Sequence, residues 1–178
     1  GLAHLAVERD DYLLLQSLKD RDRSCIREPD KNGDTPLMLA LRKGDEKSYE
    51  ILKAQDQVKK NKTEETLLMS TCVGGKERII KELLGKEEYR EMLQAVDSKG
   101  RCVLHYVSTK EGLNVLLNYA IDAKNKVANF NINQKDQQGA TPLMRAVQNG
   151  NSYVVAELIK HGAEVNECTY DGLSPLMV

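Results

Sequence analysis

Aromatic residues are scarce in this chain of 178 residues, which has no tryptophan and one phenylalanine. Without large rings to anchor one thick core, the interior must be built from aliphatic side chains, and these suit thin layers stacked closely together. The composition is otherwise ordinary, with 40% hydrophobic and 30% charged residues. The chain therefore has enough apolar residues to fold and does not have the composition of a disordered protein.

A strong net charge and a long apolar run are also missing. The formal net charge is −1, which gives no overall attraction to nucleic acid or to an anionic membrane. The apolar stretches are only a few residues long, whereas a membrane-spanning helix needs about 20. We therefore expect no nucleic-acid partner and no membrane insertion. The cysteine usage described below leads us to expect an intracellular location, in the cytoplasm or the nucleus.

The residue types that build catalytic and metal sites are few and widely spaced. The three histidines form no recognisable triad with a nucleophile and a carboxylate, and no cysteine or histidine pair has the spacing of zinc ligands. Gly74-Gly75-Lys76 lacks the full spacing of a phosphate-binding loop. The sequence thus predicts a protein that is not an enzyme and has no catalytic residue, metal or cofactor. The cysteines, expected to be free and mostly buried in a reducing compartment, are Cys25, Cys72, Cys102 and Cys168.

One short phrase, Thr-Pro-Leu-Met, returns along the chain in full or degenerate form. Its copies begin at Gly1, Thr35, Thr66, Cys102, Thr141 and Ser174, so successive starts are 34, 31, 36, 39 and 33 residues apart. Self-similarity near this period is typical of a solenoid, in which each unit buries its apolar face only against its neighbours. The question for function is therefore which surface binds, and what it binds.

The stretch from Asp136 to Asn166 shows how one unit is built. After a turn, Thr141 has the residue type of a helix cap, and Pro142 is tolerated at the first helical position. A break at Gly150 separates this helix from a second one, which Gly162 ends. Neither helix is long enough to be stable alone in water, so stacking between units must hold them.

This pattern resembles the ankyrin repeat, whose phrase is Asp-x-x-Gly-x-Thr-Pro-Leu-His-x-Ala, followed by Gly, Val, Leu-Leu and Gly-Ala-x-x-Asn. The resemblance covers effectively the whole chain. It implies an all-α helix-turn-helix solenoid with hairpin loops, a single domain over residues 1–178 with about four full and two partial repeats. The predicted units span roughly 1–29 (partial), 30–60, 61–96, 97–135, 136–168 and 169–178 (partial).

Several departures from the family pattern carry predictions of their own. Methionine replaces the family's histidine in four copies, and only His4 and His105 remain for the loop-supporting hydrogen bond that the resemblance implies. In the unit from Asp97, Glu111 takes the position where the helix break is expected, which predicts a shortened turn between the two helices. The stretch 118–134 is several residues too long, and we interpret it as a longer second helix or an extended loop.

The resemblance implies a non-catalytic interaction module that binds a partner protein or peptide on the concave face formed by hairpins and first helices. Such a face is rigid before binding and need not be ordered by its partner. The family's contact positions follow the hairpin Asp, precede the Thr, and end the first helix. In this sequence they give Lys31, Asn32, Asp34, Arg42, Lys43, Lys62, Glu65, Lys99, Arg101, Thr109, Lys110, Gln137, Gln138, Gln148 and Asn149.

Two finer expectations and one alternative remain open. Basic residues cluster among the contact positions in the units from Asp30 and Asp97, which would suit an acidic partner segment, although Asp34 and Glu65 interrupt them. By resemblance, Asn166 occupies the hairpin position that asparaginyl hydroxylases modify in some ankyrin proteins. Alternatively, the chain is the scaffold or regulatory arm of a larger enzyme, channel or signalling protein. The unit that starts abruptly and the apolar residues at the other end lead us to expect a longer parent chain.

Overall fold

The computed structural model describes residues 1–54, 59–121 and 130–177, and the regular structure within these ranges is helical. The α-helices are α1 (Leu2–Glu8), α2 (Tyr12–Arg21), α3 (Pro36–Lys43), α4 (Glu46–Leu52), α5 (Leu67–Gly74), α6 (Glu77–Leu84), α7 (Glu87–Arg90), α8 (Lys110–Ile121), α9 (Pro142–Gln148) and α10 (Ser152–Lys160). Short 3₁₀ helices span Glu91–Leu93 and Val103–Tyr106. No helix in the described ranges is both long and apolar enough to cross a bilayer.

The threonines of the recurring phrase begin the first helix of three units, as the sequence predicts. Each threonine Oγ1 accepts a hydrogen bond from the backbone N–H three residues further on, which satisfies a donor that the helix itself leaves open. The pairs are Thr35–Met38 at 3.3 Å, Thr66–Met69 at 3.2 Å and Thr141–Met144 at 3.4 Å. Pro36 and Pro142 stand at the first helical position, where no N–H is needed.

The helices pair within units and stack between units. First helices pack in the order α1, α3, α5, the 3₁₀ helix Val103–Tyr106 and α9, while the second helices α2 and α4 pack together and α8 contacts both α6 and α10. The buried layer between them is mostly aliphatic, and Tyr49 is the only aromatic residue among the fully buried side chains that the structure describes. This arrangement confirms the predicted all-α repeat solenoid.

The turns that precede the first helices are joined into one continuous row. In each turn, a backbone N–H donates to a backbone carbonyl of the preceding turn, so the tips cannot slide past one another. These hydrogen bonds run from Lys62 to Asn32 (3.1 Å), Ser98 to Thr63 (2.9 Å), Gln137 to Lys99 (2.9 Å) and Tyr170 to Gln138 (3.1 Å).

One position of this row is strained. Four of the turns have glycine at their fourth residue with a left-handed backbone, for example Gly33 with φ of 84°, but Glu64 adopts φ of 61° at the same place. We expect Glu64→Gly to stabilise the fold by about 0.5–1 kcal/mol, because a left-handed L-residue costs roughly 1–2 kcal/mol and the greater chain entropy of glycine offsets part of the gain. The ion pair of Glu64 with Lys60 is exposed and contributes little.

Chemical denaturation of the two proteins measures this difference. Lys81→Gly, inside the regular helix α6, is the matched control and should destabilise by about 1 kcal/mol. A loss of stability on Glu64→Gly as large as that of the control would contradict the assignment of strain.

The unit from Asp97 is shortened in a different place from the one predicted. Its first helix is reduced to the single 3₁₀ turn Val103–Tyr106, and Glu111 lies inside α8. The prediction of a shortened turn between the two helices of this unit is therefore wrong. The first helix of this unit is the element that is shortened, because both ends of the segment that contains it are hydrogen-bonded to the preceding unit. Ser98 bonds to the preceding turn, and Ser108 N–H donates to Cys72 O at 3.2 Å.

The long stretch 118–134 is partly helical. Helix α8 continues to Ile121, which agrees with one of the two alternatives, the longer second helix. Residues 122–129 lie outside the described residues. Beyond them the chain returns to the hairpin row, where Asn133 Oδ1 accepts the N–H of Glu164 at 2.9 Å.

Candidate protein-binding face

The row of turns gathers most of the predicted contact residues on one side of the stack. The turn residues Lys31, Lys62 and Lys99 are exposed, as are Gln137 and Gln138 in the following turn. Further exposed contact residues are Asn32, Lys43, Gln148 and Asn149, whereas Asp34 is buried and Arg42, Glu65 and Arg101 are half-buried. That these residues bind a partner stays a prediction.

Thr109 and Lys110 are not at the end of a first helix, where they were predicted. Thr109 Oγ1 accepts the N–H of Gly112 at 3.1 Å, and Lys110 is the first residue of α8, the second helix of its unit. Lys110 Nζ lies 3.6 Å from Glu157 Oε2 on α10. The shortened first helix is the physical reason, because it moves both residues toward the second-helix layer.

The half-buried charges at the base of the turns bond to one another across units. Arg42 forms a two-pronged ion pair with Asp34 at 2.9 and 3.1 Å, and its Nη2 lies 2.8 Å from Glu65 Oε2. Asn61 Nδ2 donates to Asp34 Oδ1 at 2.8 Å and to Glu65 Oε2 at 3.2 Å. One guanidinium and one amide thus join the carboxylates of two successive units.

The same chain of contacts continues into the next unit. Tyr106 Oη lies 3.0 Å from Glu65 Oε1 and 2.6 Å from Asp97 Oδ2. Arg101 donates from Nε to Asp97 Oδ2 at 2.7 Å and from Nη2 to Tyr106 Oη at 2.7 Å. We call the seven linked residues the ion network: Asp34, Arg42, Asn61, Glu65, Asp97, Arg101 and Tyr106.

Proton equilibria follow from these contacts. Burial alone would raise the pKa of Asp34, but hydrogen bonds from Arg42 and Asn61 and the positive charge of Arg42 hold that pKa below its ordinary value. For Asp97, hydrogen bonds from Tyr106 and Arg101 likewise outweigh burial and lower the pKa. Burial and the hydrogen bond to Asp97 raise the pKa of Tyr106. Both aspartates are therefore ionised near neutral pH, and the Tyr106 hydroxyl keeps the proton that it donates.

These contacts do not favour the predicted acidic partner segment. Arg42 and Arg101 already face carboxylates inside the chain, and the ion network holds three carboxylates against two guanidinium groups. Lys43 Nζ lies 2.8 Å from Asp10 Oδ1 and 2.7 Å from the carbonyl oxygen of Val7. An acidic segment would have to displace these partners, and charges that are compensated within the chain attract it only weakly.

A second, smaller cluster lies in the unit from Asp136. Arg145 Nη2 lies 2.6 Å from Asp136 Oδ2 and 2.9 Å from Gln138 Oε1, while Nη1 donates to Gln148 Oε1 at 3.0 Å. Arg145, Asn61 and the role of Tyr106 were not predicted from the sequence. The available signal was spacing: Arg145 and Tyr106 each stand four residues after the start of the recurring phrase.

The two remaining histidines support the loops, as the resemblance implies. His4 Nε2 lies 2.7 Å from Asp34 O, and His105 Nε2 lies 3.1 Å from Ala140 O, the corresponding carbonyl three units after Asp34. Burial lowers the pKa of His105, so this ring is neutral, and its Nδ1 accepts the N–H of Cys102 at 3.1 Å. Both histidines are therefore used structurally.

The thiols have the environment of structural cysteines. All four are free; Cys72 and Cys102 are buried, Cys25 is half-buried and Cys168 is exposed. Burial raises the pKa of Cys102 to about 11 and raises that of Cys72 as well, which keeps both as unreactive thiols near neutral pH. In the described parts of the chain, no group of three or more His, Cys, Asp or Glu could hold a metal ion.

Asn166 lies exposed in the hairpin that follows α10. Asn133 occupies the corresponding position one unit earlier and bonds across to Glu164 N–H. Hydroxylation of Asn166 stays a prediction.

Comparison with known proteins gives results that agree with this architecture. Residues 110–178 match the family profile described as ankyrin repeats in three copies. An ankyrin repeat protein of Acanthamoeba polyphaga mimivirus, L371, is 29% identical over 99 residues, which are 55% of this chain and 12% of that protein. The chain thus matches only a small part of the length of this relative.

A solved structure shows a similar fold. One chain of the Bd0816 predatory endopeptidase from Bdellovibrio bacteriovorus in complex with immunity protein Bd3460 superposes with a TM-score of 0.66 and 24% identity, over 98% of this chain and 88% of that chain. At this identity the likeness concerns the fold alone.

Ankyrin repeats are generally protein–protein interaction modules and are typically non-enzymatic. The recurring phrase, the capped helix pairs and the joined row of turns are the structural features of such repeats, and the profile match and the viral relative agree with them. The profile match over residues 110–178 and the viral relative both support membership of the ankyrin repeat family.

Proposed function

We propose that this chain is a non-catalytic module that binds a partner protein along the row of turns and the first helices behind it. The observation that carries the proposal is the unbroken line of hydrogen bonds from the turn at Asn32 to the turn at Tyr170. This line holds the exposed tip side chains at fixed spacing before any partner arrives, so binding costs little ordering entropy.

The ion network, which lies at the base of the turns, supports the same proposal. It ties the bases of three successive turns together through half-buried charged groups. Its members have their hydrogen-bond partners inside the chain. We therefore assign them the role of holding the turns in fixed positions, without direct contact to the partner. We assign direct contact with the partner to the exposed residues at the tips of the turns. These tip residues are Lys31, Lys62, Lys99, Gln137 and Gln138.

Charge reversal at the tips tests the proposal. The variant Lys31→Glu, Lys62→Glu, Lys99→Glu changes three exposed side chains that form no ion pair with any residue in the described ranges. We expect it to keep its helical circular dichroism and to lose at least about tenfold in affinity for the partner captured by the parent chain, because each tip lies in the contact row.

The control variant carries the same charge change on the second-helix layer: Lys81→Glu, Lys86→Glu, Lys160→Glu, on or next to α6, α7 and α10. Quantitative pull-down from cell extract, followed by titration of the captured protein, compares the two variants. If the tip variant captures as much partner as the parent chain, or if the control loses as much capture as the tip variant, the partner does not bind at the turns.

A second candidate function is the regulatory or scaffold arm of a longer polypeptide. It is favoured by the viral relative, in which the matching segment makes up 12% of the protein. In that case the partner surface described above would serve an activity located elsewhere in the polypeptide. The length of the native open reading frame distinguishes the two candidates.

A further inference from the structure

We propose that the row of turns binds an extended, acidic segment of the partner, whose carboxylates are spaced to meet the lysines of successive turns. The inference rests on the proposed function and adds the charge and the spacing of the segment that is bound. The second and third residues of four successive turns carry it, and we call them the outer positions: Lys31, Asn32, Lys62, Thr63, Ser98, Lys99, Gln137 and Gln138.

The charges at the outer positions are all positive. The eight residues are exposed, three of them are lysines, and none has a carboxylate. Lys31, Lys62 and Lys99 form no ion pair with any residue that the structure describes. Lys62 Nζ donates to the carbonyl oxygen of Lys31 at 3.0 Å, a neutral acceptor that does not compensate its charge. These ammonium groups are therefore available to the carboxylates of a partner.

The carboxylates of the same turns are engaged within the chain. Asp30 Oδ1 accepts two N–H groups of its own turn at 2.8 and 2.9 Å, and Asp97 and Asp136 do the same in theirs. The carboxylates at the fifth residue of two turns belong to the ion network. Glu64 is exposed beside the outer positions, but it pairs with Lys60 at 3.2 Å. An acidic segment is therefore attracted to the tips, although the paired arginines at the base of the turns do not attract it.

Exposure at the outer positions persists inside the stack. Lys62, Ser98 and Gln137 each follow another turn, to which their N–H groups donate, and all three side chains are exposed. Contact with a preceding turn therefore does not cover the second residue of a turn. Lys62 and Lys99 have a described turn on both sides, so their exposure does not depend on where the stack ends.

The distance between turns matches the rise of an extended chain. Lys62 N–H donates to Asn32 O at 3.1 Å, so successive turns are separated by one hydrogen-bonded step of about 4.8 Å and one residue step of about 3.8 Å. An extended segment covers this repeat of about 9 Å with roughly three residues. Because Lys99 is the third residue of its turn and not the second, we expect the facing carboxylates at roughly positions 1, 4 and 8 of the segment.

The outer positions suit an extended peptide better than a helix or a nucleic acid. An extended peptide has backbone N–H and C=O groups that need partners, and the uncharged outer residues provide amide and hydroxyl groups. A partner helix satisfies its own backbone and would need an apolar surface, which the eight residues lack. Single-stranded nucleic acid would need aromatic side chains for stacking, and the eight residues include none.

Nuclear magnetic resonance titration of the full chain with synthetic peptides tests the inference, because it detects weak binding and identifies the affected residues. One peptide carries three glutamates at the predicted spacing among serines and glycines, a second has the same composition with adjacent glutamates, and a third has glutamine for glutamate. At low salt we expect the spaced peptide to bind about threefold more tightly than the clustered one and at least about fivefold more tightly than the glutamine peptide. The amide signals of Lys62 and Lys99 should shift.

A triple variant removes the three charges without reversing them. Lys31→Gln, Lys62→Gln, Lys99→Gln should weaken binding of the spaced peptide at least about fivefold, because three exposed ion pairs are lost. All three residues are exposed, so the helical circular dichroism should stay that of the parent.

The matched control makes the same change in net charge on the second-helix layer. It is Lys81→Gln, Lys86→Gln, Lys160→Gln, on or next to α6, α7 and α10. We expect it to bind the spaced peptide within about twofold of the parent, since these residues lie away from the row of turns.

Three results would overturn the inference: equal binding of the glutamate and glutamine peptides, equal binding of the spaced and clustered peptides, or equal weakening by the triple variant and its control. Tighter binding of an oligothymidylate, with the same dependence on the three lysines, would also overturn it in favour of nucleic acid. The first three results leave the proposed function standing if partner capture still depends on the tip lysines. Capture that does not depend on them, with the peptide results as expected, would contradict the proposed function instead.

Discussion

Replacing Gly74 with alanine is expected to destabilise the protein by about 3 kcal/mol, although alanine is the better helix former by about 1 kcal/mol. Gly74 is the last residue of α5, where a Cβ atom would lie 1.9 Å from Leu41 O and 2.9 Å from Gly44 N. Both atoms belong to the backbone at the end of α3, so no side-chain rotation relieves the overlap. The two helices would have to separate and open the core between them.

Gly85→Ala is the control for this prediction. Gly85 follows α6, and its nearest neighbour to an added Cβ is Glu82 O at 3.3 Å, within its own unit. We expect a change of no more than about 0.5 kcal/mol there. Urea denaturation at fixed protein concentration gives both values. Equal stability of Gly74→Ala and the parent would mean that α3 and α5 do not approach as closely as described.

Arg42→Ala is expected to cost about 2–4 kcal/mol, the second large effect. The Arg42 side chain is 29% exposed and its partners Asp34 and Glu65 are 13% and 17% exposed. Removing the guanidinium leaves two half-buried carboxylates facing each other, with Asn61 as the donor that remains between them. Breaking such a pair costs more than the pair contributes, because an uncompensated charge stays out of water.

A second arginine of the chain provides the comparison. Arg78 also faces three glutamates, Glu46, Glu50 and Glu82, but its side chain is 50% exposed on the second-helix layer. Arg78→Ala should cost less than about 1 kcal/mol, because water replaces the lost partner and salt screens the pairs. If the two variants lose similar amounts of unfolding free energy in the same denaturation experiment, the ion network does not stabilise the fold more than exposed ion pairs do.

The sequence was sufficient for the local rules of each unit. Thr141 caps its helix and Pro142 begins it, and His4 and His105 make the loop-supporting hydrogen bonds that the resemblance implies. These predictions succeed because cap, turn and loop-supporting contacts involve either neighbouring residues or a slot that repeats in every unit.

Contacts between units were not predictable in the same way. Glu65 meets Arg42 across 23 positions and Tyr106 across 41 positions. Whether these side chains touch depends on the stagger between turns, which is a property of the assembled stack. Read along the chain, Arg42 and Arg101 resembled free positive charges for an acidic partner. In three dimensions both are already paired with carboxylates of the chain itself.

The repeat, the helix starts and the solenoid were predictable from the sequence, because each follows from short-range spacing and from an aliphatic composition that favours thin stacked layers. Two further points follow only from the fold: the unit from Asp97 loses part of its first helix, and Arg42, Lys43 and Arg101 are already paired with carboxylates of the chain itself. The reason is that pairing of charges is set by distance in space, and neighbouring units bring together residues that composition and spacing leave far apart.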